Sequence, residues 1–162
     1  SSYVITSREI IEKSNIHSKL LEIKNPSMKE FSVLRPSLLP SILNILSENQ
    51  HHEYPQKLFE INKIFEYDKE KLNLAIVSSH EKANFTELKQ ILEALLSELN
   101  LKPLIQKTKN NLFIEGRVGE VIINKKTIGI IGEIHPQVLV NFKLINPTST
   151  LEINLEALKE TI

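Results

Sequence analysis

Three short groups of acidic residues and histidines in this sequence could bind a metal ion or transfer a proton. They are His51-His52-Glu53, His80-Glu81, and Glu133 with His135. Imidazole and carboxylate groups are ligands of zinc, and side by side they can act as an acid–base pair. For His51 and His52 the alternative is a solvated loop, because neighbours in sequence rarely point at one ion.

Glu133 and His135 belong to a stretch with a distinctive order of elements. Two short β-branched runs, Val118–Ile123 and Thr127–Ile134, predict a hairpin whose turn contains Asn124-Lys125-Lys126. A helix is predicted to start at Pro136. The alternative role of His135 is therefore structural: its imidazole and the Pro136 ring would fix the strand-to-helix turn.

The same stretch suggests structural roles for an acid and two glycines. Glu133 could accept a hydrogen bond at a helix start, or pair with Arg35 or Arg117. Gly129 and Gly132 lie inside the second run, where glycine usually marks a bulge or a close approach of another backbone. We expect both glycines to let strands or a partner backbone come close.

Composition favours a single globular domain over residues 1–162, with 41% hydrophobic and 25% charged residues. Twenty basic residues balance twenty acidic ones, which argues against a strongly basic nucleic-acid surface. Four lysines near predicted turns could contact RNA phosphate or simply be solvated: Lys107, Lys109, Lys125 and Lys126. The absence of cysteine excludes disulfides and fits a reducing compartment. No apolar run reaches the roughly 18 residues of a membrane span.

Strands and helices alternate irregularly along the chain. Strands are predicted at Tyr3–Ile5, Leu20–Ile23, Lys57–Tyr67, Leu72–Ser78, Leu101–Thr108 and Ser149–Asn154, with a turn at Asp68–Lys71. Helices are predicted after Ser7 and at Ser37–Asn49, Asn84–Asn100 and Leu155–Ile162. This order predicts an α+β fold, an antiparallel sheet with helices on one face. Alternation in the Lys57–Tyr67 strand predicts Phe59 and Ile61 as core residues.

Several blocks, in this order and spacing, resemble one known family. They are Val33-Leu34-Arg35-Pro36-Ser37-Leu38-Leu39-Pro40, Leu58-Phe59-Glu60-Ile61, Asn84-Phe85-Thr86-Glu87-Leu88, Glu115-Gly116-Arg117, Gly132-Glu133-Ile134-His135-Pro136 and Glu152-Ile153-Asn154-Leu155. The series is similar to the class II synthetase-like core of the phenylalanyl-tRNA synthetase β subunit, of the archaeal and eukaryotic cytosolic type. The resemblance implies the class II fold, an antiparallel sheet flanked by helices.

The resemblance also implies partners and cofactors. In that family the β core is a degenerate copy of the core of the α subunit, which binds ATP, phenylalanine and the tRNA acceptor end. The β copy would support α within a cytoplasmic (αβ)₂ assembly. ATP and magnesium would serve the parent complex, and tRNA would be met through that complex. Because the chain lacks an initiator methionine, we expect it to be a C-terminal fragment of a longer β subunit.

The arginines that class II catalysis requires do not occur at the matching positions. The family supplies one from its second motif and one from its third, to stabilise charge on the α-phosphate. The matching segments here, Lys57–Tyr67 and Thr150–Lys159, contain no arginine, and the chain has only Arg8, Arg35 and Arg117. The sequence therefore predicts a domain that does not catalyse adenylation by itself.

We expect the family residues of this chain to be structural or interface residues, with no catalytic, cofactor-binding or metal-binding role. They are Arg35, Pro36, Leu39, Phe59, Glu60, Gly129, Gly132, Glu133 and His135. If the domain supports a partner, the isolated chain should expose an apolar patch. Two alternatives stay open: a stand-alone ATP-dependent ligase on a class II-like fold, and a tRNA- or protein-binding module.

Overall fold

The computed structural model of the chain describes residues 2–17, 19–26, 32–67 and 69–162. The strands are β1 (Ile5–Thr6), β2 (Leu21–Glu22), β3 (Val33–Leu34), β4 (Gln56–Glu66), β5 (Lys69–Ser79), β6 (Leu104–Lys107), β7 (Phe113–Ile123), β8 (Lys126–Ile134) and β9 (Thr148–Asn154). The helices are α1 (Arg8–Lys13), α2 (Leu39–Glu48), α3 (Phe85–Ser97), α4 (Pro136–Asn141) and α5 (Leu155–Lys159).

Six of the strands form one antiparallel sheet in the order β4-β5-β9-β8-β7-β6. The three short strands form a second sheet in the order β1-β3-β2. The predicted α+β class with an antiparallel sheet is confirmed. The Asp68 position of the predicted turn between β4 and β5 lies outside the described residues, and β5 begins directly after it.

Helices cover both faces of the large sheet, so the prediction of helices on one face is wrong. We call the face toward α2 and α4 the front face and the face toward α3 and α5 the back face. Buried side chains of α2 and α4 pack with Ala75 and Val77 on the front, while those of α3 and α5 pack with Leu151 and Ile153 on the back. The physical reason is the central position of β5 and β9, whose strands must bury both faces.

Local sequence explains the longest helix. Asn84 has extended backbone, and its side chain accepts a hydrogen bond from the Glu87 N–H at 3.0 Å, which caps the first turn of α3. The fully buried residues Leu88, Leu92 and Leu96 recur every four residues and hold the helix on the back face. The predicted helix is confirmed, although it ends at Ser97 rather than Asn100.

The β7–β8 hairpin is confirmed, with a tighter turn and a longer first strand than predicted. Asn124 and Lys125 have φ angles of 48° and 67°, the left-handed pair typical of a two-residue type I′ turn. Strand β7 begins at Phe113, five residues before the predicted start. A register irregularity between Phe113 and Val118, which includes Gly116 at φ 83°, breaks the period-two pattern there.

Strand β4 is oriented opposite to the prediction. Phe59 and Ile61, predicted as core residues, are 75% and 53% exposed, whereas Glu60 between them is 5% exposed. The alternation was correct, but β4 is an edge strand whose buried residues, Gln56, Glu60 and Ile64, lie on the front face. Buried hydrogen-bond partners satisfy its polar side chains there, so the polar face points inward.

No helix among the described ranges is long and apolar enough to cross a membrane.

Candidate functional site

A cleft of about 450 Å³ opens on the front face of the large sheet. One wall is the segment that leads into α2, from Pro36 to Leu39, and the opposite wall is the segment around Asn110 and Leu112. Strands β5, β7, β8 and β9 form the floor. This position, over the middle of the sheet and between two loop walls, makes the cleft the first place to look for chemistry.

The floor of the cleft belongs to a row of residues that crosses five strands. Glu60 pairs with Ala75, Ala75 with Glu152, Glu152 with Ile130, and Ile130 with Glu120. Directly paired residues share a face of a sheet, so three carboxylates stand on alternate strands of the front face. We call Glu60, Glu152 and Glu120 the carboxylate row. Glu60 and Glu152 are buried, and because buried carboxylates are costly unless they are paired or hydrogen-bonded, each of these two needs partners.

Glu152, at the centre of the row, holds the start of α2. Its carboxylate accepts hydrogen bonds from the Leu38 N–H at 3.0 Å, the Ser37 hydroxyl at 2.5 Å and the Asn73 amide at 2.7 Å. The N-cap residue of α2, Leu38, has no side chain that can cap the helix. The Ser37 hydroxyl accepts from the Leu39 N–H at 3.1 Å, and Glu152 supplies the carboxylate that a helix N-terminus favours. Burial raises the pKa of Glu152, and the three donors oppose that rise because they favour the ionised form.

Glu60, at one end of the row, pairs with the fully buried Arg35. The guanidinium Nη2 lies 3.4 Å from Glu60 Oε1, and its Nε donates to the Lys63 carbonyl at 3.0 Å. Burial alone would raise the pKa of Glu60. Hydrogen bonds from Asn62 and Ser2, together with the charge of Arg35, outweigh that effect and lower it. Arg35 thus has a structural role, because its side chain is engaged by Glu60 and the Lys63 carbonyl inside the protein.

Glu120, at the other end of the row, has no comparable partner. Its carboxylate oxygens lie 3.4 Å from the Thr108 hydroxyl and 3.5 Å from the Thr127 hydroxyl, both long for hydrogen bonds. The salt bridges found among the described residues do not include Glu120. It is half-buried on the floor of the cleft.

The charged residues that line the cleft are mostly acidic. They are Glu66, Glu120, Glu152 and Lys71. The ammonium of Lys71 forms an ion pair with Glu66, so it is not free to bind an anion. No arginine is among the lining residues in the described part of the chain. The field in the cleft therefore opposes a phosphate group.

Glu133 and His135 act at two different helices rather than at one catalytic centre. Glu133 accepts from the Phe85 N–H at the start of α3 at 2.9 Å and pairs with Arg117 at 2.7 Å. His135 caps α4, because its Nδ1 accepts from the Gln137 N–H at 3.1 Å. Of the alternatives that the sequence left open for Glu133, the structure shows the helix start and Arg117, but not Arg35.

The two glycines of β8 lie where other atoms come close. A Cβ at Gly129 would be 3.0 Å from the Cα of Ile153 and closer still to the carbonyl of Glu152. A Cβ at Gly132 would be 3.0 Å from the Arg117 carbonyl and would overlap the Phe113 ring. Gly129 thus permits the close approach of β9, and Gly132 permits the packing of Phe113.

The remaining histidine groups do not form a metal site. The rings of His51 and His52 lie 4.2 Å apart, tilted by 38°, and no cluster of three potential ligands occurs in the part of the chain that the structure describes. His80 contacts Glu87 at 2.7 Å rather than Glu81. Glu87 also binds Lys57 at 2.7 Å and the Ser78 hydroxyl, so this cluster ties β4 and β5 to α3.

Two of the four lysines considered for RNA contact are engaged in ion pairs. Lys109 binds Glu115 at 2.6 Å, and Lys126 binds Glu160. Lys107 and Lys125 take part in none of the ion pairs found among the described residues.

An exposed apolar strip lies on the back face at the β4 edge. Phe59, Ile61 and Leu72 are 75%, 53% and 36% exposed, and Phe59 and Ile61 pair across to Ile76 and Leu74. Helices α3 and α5 pack mainly on β5, β8 and β9, and α3 meets β4 at the Lys57–Glu87 ion pair. Exposed apolar patches of this kind mark sites of protein contact. The predicted patch is thus present, and Phe59 belongs to it.

Comparison with solved structures defines the class of the fold. Pyrrolysyl tRNA synthetase PylSc of Desulfitobacterium hafniense superimposes with a TM-score of 0.79 over 98% of this chain and 60% of that protein, at 14% sequence identity. The antiparallel sheet with its flanking helices therefore has a class II tRNA synthetase-like fold, as the family resemblance implied.

Sequence comparison then gives the family. The family model for the phenylalanyl tRNA synthetase beta chain CLM domain matches residues 1–155, and the chain belongs to this family. It is 39% identical to the phenylalanine–tRNA ligase beta subunit of Archaeoglobus fulgidus, over 86% of this chain and 25% of that protein. It is 41% identical to the beta subunit of Thermococcus kodakarensis, over 87% of this chain and 26% of that protein. It is 39% identical to the beta subunit of Pyrococcus abyssi, over 97% of this chain and 30% of that protein.

The chain therefore spans between a quarter and a third of the length of these archaeal relatives. The archaeal kind agrees with the resemblance seen in the sequence.

Three polar residues at the cleft were missed by sequence reasoning: Asn73 and Glu152, which are hydrogen-bonded to each other, and Glu120. Each stands between apolar neighbours at an inward position of its strand, which is the signal that could have identified them. Glu152 had been noted only as part of a family block.

Proposed function

We propose that this chain is the non-catalytic structural core of a phenylalanine–tRNA ligase β subunit, and that it supports the catalytic α subunit. The charge of the cleft is the observation that supports a non-catalytic role. Three carboxylates and one lysine line the cleft, and that lysine is already paired with Glu66. Adenylate formation needs fixed cations around the α-phosphate, and the cleft offers carboxylates instead.

The same observation bears on cofactors. ATP with magnesium carries its charge on phosphate oxygens, which require arginine, lysine or backbone donors. The described residues of the cleft offer no unpaired lysine or arginine to those phosphates, so we assign ATP with its magnesium to the parent complex rather than to this domain. Residues 1–162 would then form one catalytically degenerate core domain.

The supporting role is favoured by the apolar strip of Phe59, Ile61 and Leu72. Burying an exposed phenylalanine or isoleucine side chain against a partner stabilises a complex by about 1.5–3 kcal/mol each. A strip of this kind on the sheet edge is suited to a protein partner. The α subunit, within an (αβ)₂ assembly in the cytoplasm, is the partner that family membership indicates, with tRNA met through the assembly.

The catalytic part is tested by phenylalanine-dependent exchange of pyrophosphate into ATP. The purified chain should show no exchange above buffer, while a complete α/β enzyme assayed in parallel provides the positive control. Clear phenylalanine-dependent exchange by the chain alone would instead support the stand-alone ligase.

An RNA-binding module is the second alternative, and a binding titration with the phenylalanine tRNA separates it. We expect weak binding that falls as salt rises, because twenty basic residues are balanced by twenty acidic ones. Tight binding that discriminates this tRNA from another tRNA at physiological salt would favour the module.

A further inference from the structure

The carboxylate row contains one member whose purpose the architecture does not explain. Glu152 anchors the start of α2 through Ser37 and Leu38, and Glu60 neutralises Arg35. Each of these carboxylates is covered by the segment that it holds and is no more than 6% exposed. Glu120 stands at the end of the same row, yet it anchors no main-chain segment and pairs with no cation in the described ranges.

The surroundings of Glu120 leave its carboxylate available to a ligand. Its two neighbours in hydrogen-bond range are threonine hydroxyls at 3.4 and 3.5 Å, which lie at the long limit for such bonds. The open cleft of about 450 Å³ lies over it. A charged donor placed in the cleft could therefore bind a half-buried carboxylate without displacing an internal ion pair.

Apolar side chains share the cleft with Glu120. Ile130 is one of its two cross-strand partners, the other being Gln106 on the edge strand β6, and Leu112 and Phe113, each 2% exposed, belong to the facing wall. A half-buried carboxylate with an isoleucine side chain beside it matches a molecule with a cationic head and an apolar body.

We propose that this cleft binds a small primary amine, with its ammonium group on Glu120 and its apolar body against Ile130. A phosphate or carboxylate ligand is disfavoured, because the only lysine in the described lining is held by Glu66. A metal ion is disfavoured as well, because no group of three potential ligands occurs among the residues that the structure describes. A primary ammonium can donate to the carboxylate and to the threonine hydroxyls together.

The experiment is a titration of the isotope-labelled chain with 2-phenylethylamine, followed by amide chemical shifts. We expect saturable shifts confined to the cleft strands, with a dissociation constant on the order of 1 mM, as for a small fragment. The matched anion, 3-phenylpropionate, should give no saturable shifts at the same residues. Absence of saturation with the amine at about ten times that concentration, or equal binding of the anion, would overturn the proposal.

Two variants on strand β7 assign the site. Glu120→Gln keeps an oxygen that can accept from Thr108 and Thr127 but removes the charge, and it should weaken amine binding at least about fivefold. Glu115→Gln lies on the same strand outside the cleft lining and should bind as the unmodified chain does. Equal affinity in Glu120→Gln would refute the assignment to Glu120.

This inference does not depend on the proposed function. Amine binding requires no α subunit and no pyrophosphate exchange, so the two ideas can fail separately.

Discussion

The buried ion pair between Arg35 and Glu60 offers the sharpest test of how the front face is stabilised. Arg35 is fully buried, its side chain contacts Glu60 and the Lys63 carbonyl, and its own carbonyl accepts from the Phe65 N–H at 2.9 Å. Replacing Arg35 by methionine keeps much of the volume but removes the charge and all the donors. Glu60 is then left as a buried carboxylate without a cation.

The size of the effect follows from that uncompensated charge. Removing one member of a buried ion pair costs about 3–5 kcal/mol, whereas removing both leaves neither charge unpaired. We therefore expect Arg35→Met and Glu60→Gln each to lower the free energy of unfolding by about 3 kcal/mol or more. The double variant should be less destabilised than the sum by about 1–3 kcal/mol.

The assay is urea unfolding followed by far-ultraviolet circular dichroism, with the slope against urea checked for constancy. The matched control is Arg8→Met, because Arg8 pairs with Glu22 at the surface, with side chains 50% and 65% exposed. Exposed pairs contribute about 0–1 kcal/mol. A loss below about 1 kcal/mol in Arg35→Met, or additive effects in the double variant, would refute the reasoning.

Three further predictions concern single residues of the front face and of β8. The pKa of Glu60 is lowered in the folded chain, so its contribution to stability is fully present above the unfolded pKa near 4.5. That contribution is lost as pH falls through the folded pKa. In unfolding titrations at decreasing pH, Glu60→Gln should therefore lose less stability than the unmodified chain does. Gly132→Ala should cost about 1–3 kcal/mol in urea unfolding, because the new methyl group meets the Phe113 ring. Glu133→Gln should reduce stability by about 1 kcal/mol through loss of charge at the start of α3, and an unchanged midpoint would count against that contact.

Most elements of the fold could be predicted from local patterns, but their orientation could not. The periodicity of Leu88, Leu92 and Leu96 is a property of consecutive residues, and so the position of α3 was confirmed. The orientation of β4 depends instead on Arg35, 25 residues from Glu60 along the chain. Nothing in the alternation of β4 says which of its two faces will be covered.

The features of the site also divide into those that local sequence could predict and those that it could not. The lack of arginines in the matching segments is readable from the sequence, and it led to the non-catalytic prediction. The carboxylate row depends on the register of five strands that lie far apart in the chain. Glu120 lies on β7 and Glu152 on β9, with β8 and α4 between them in the chain, so no local spacing could show that they share one face.

The most direct test of the supporting role is complex formation with the α subunit on a sizing column. We expect the unmodified chain to co-elute with α, and the variant with Phe59→Thr and Ile61→Thr to lose co-elution while keeping its unfolding midpoint. Val140→Thr, a substitution at a 67% exposed residue of α4, should leave the complex intact. Failure of the unmodified chain to bind α would contradict the supporting role. Undiminished binding by the Phe59→Thr, Ile61→Thr variant would show that the apolar strip is not the contact surface.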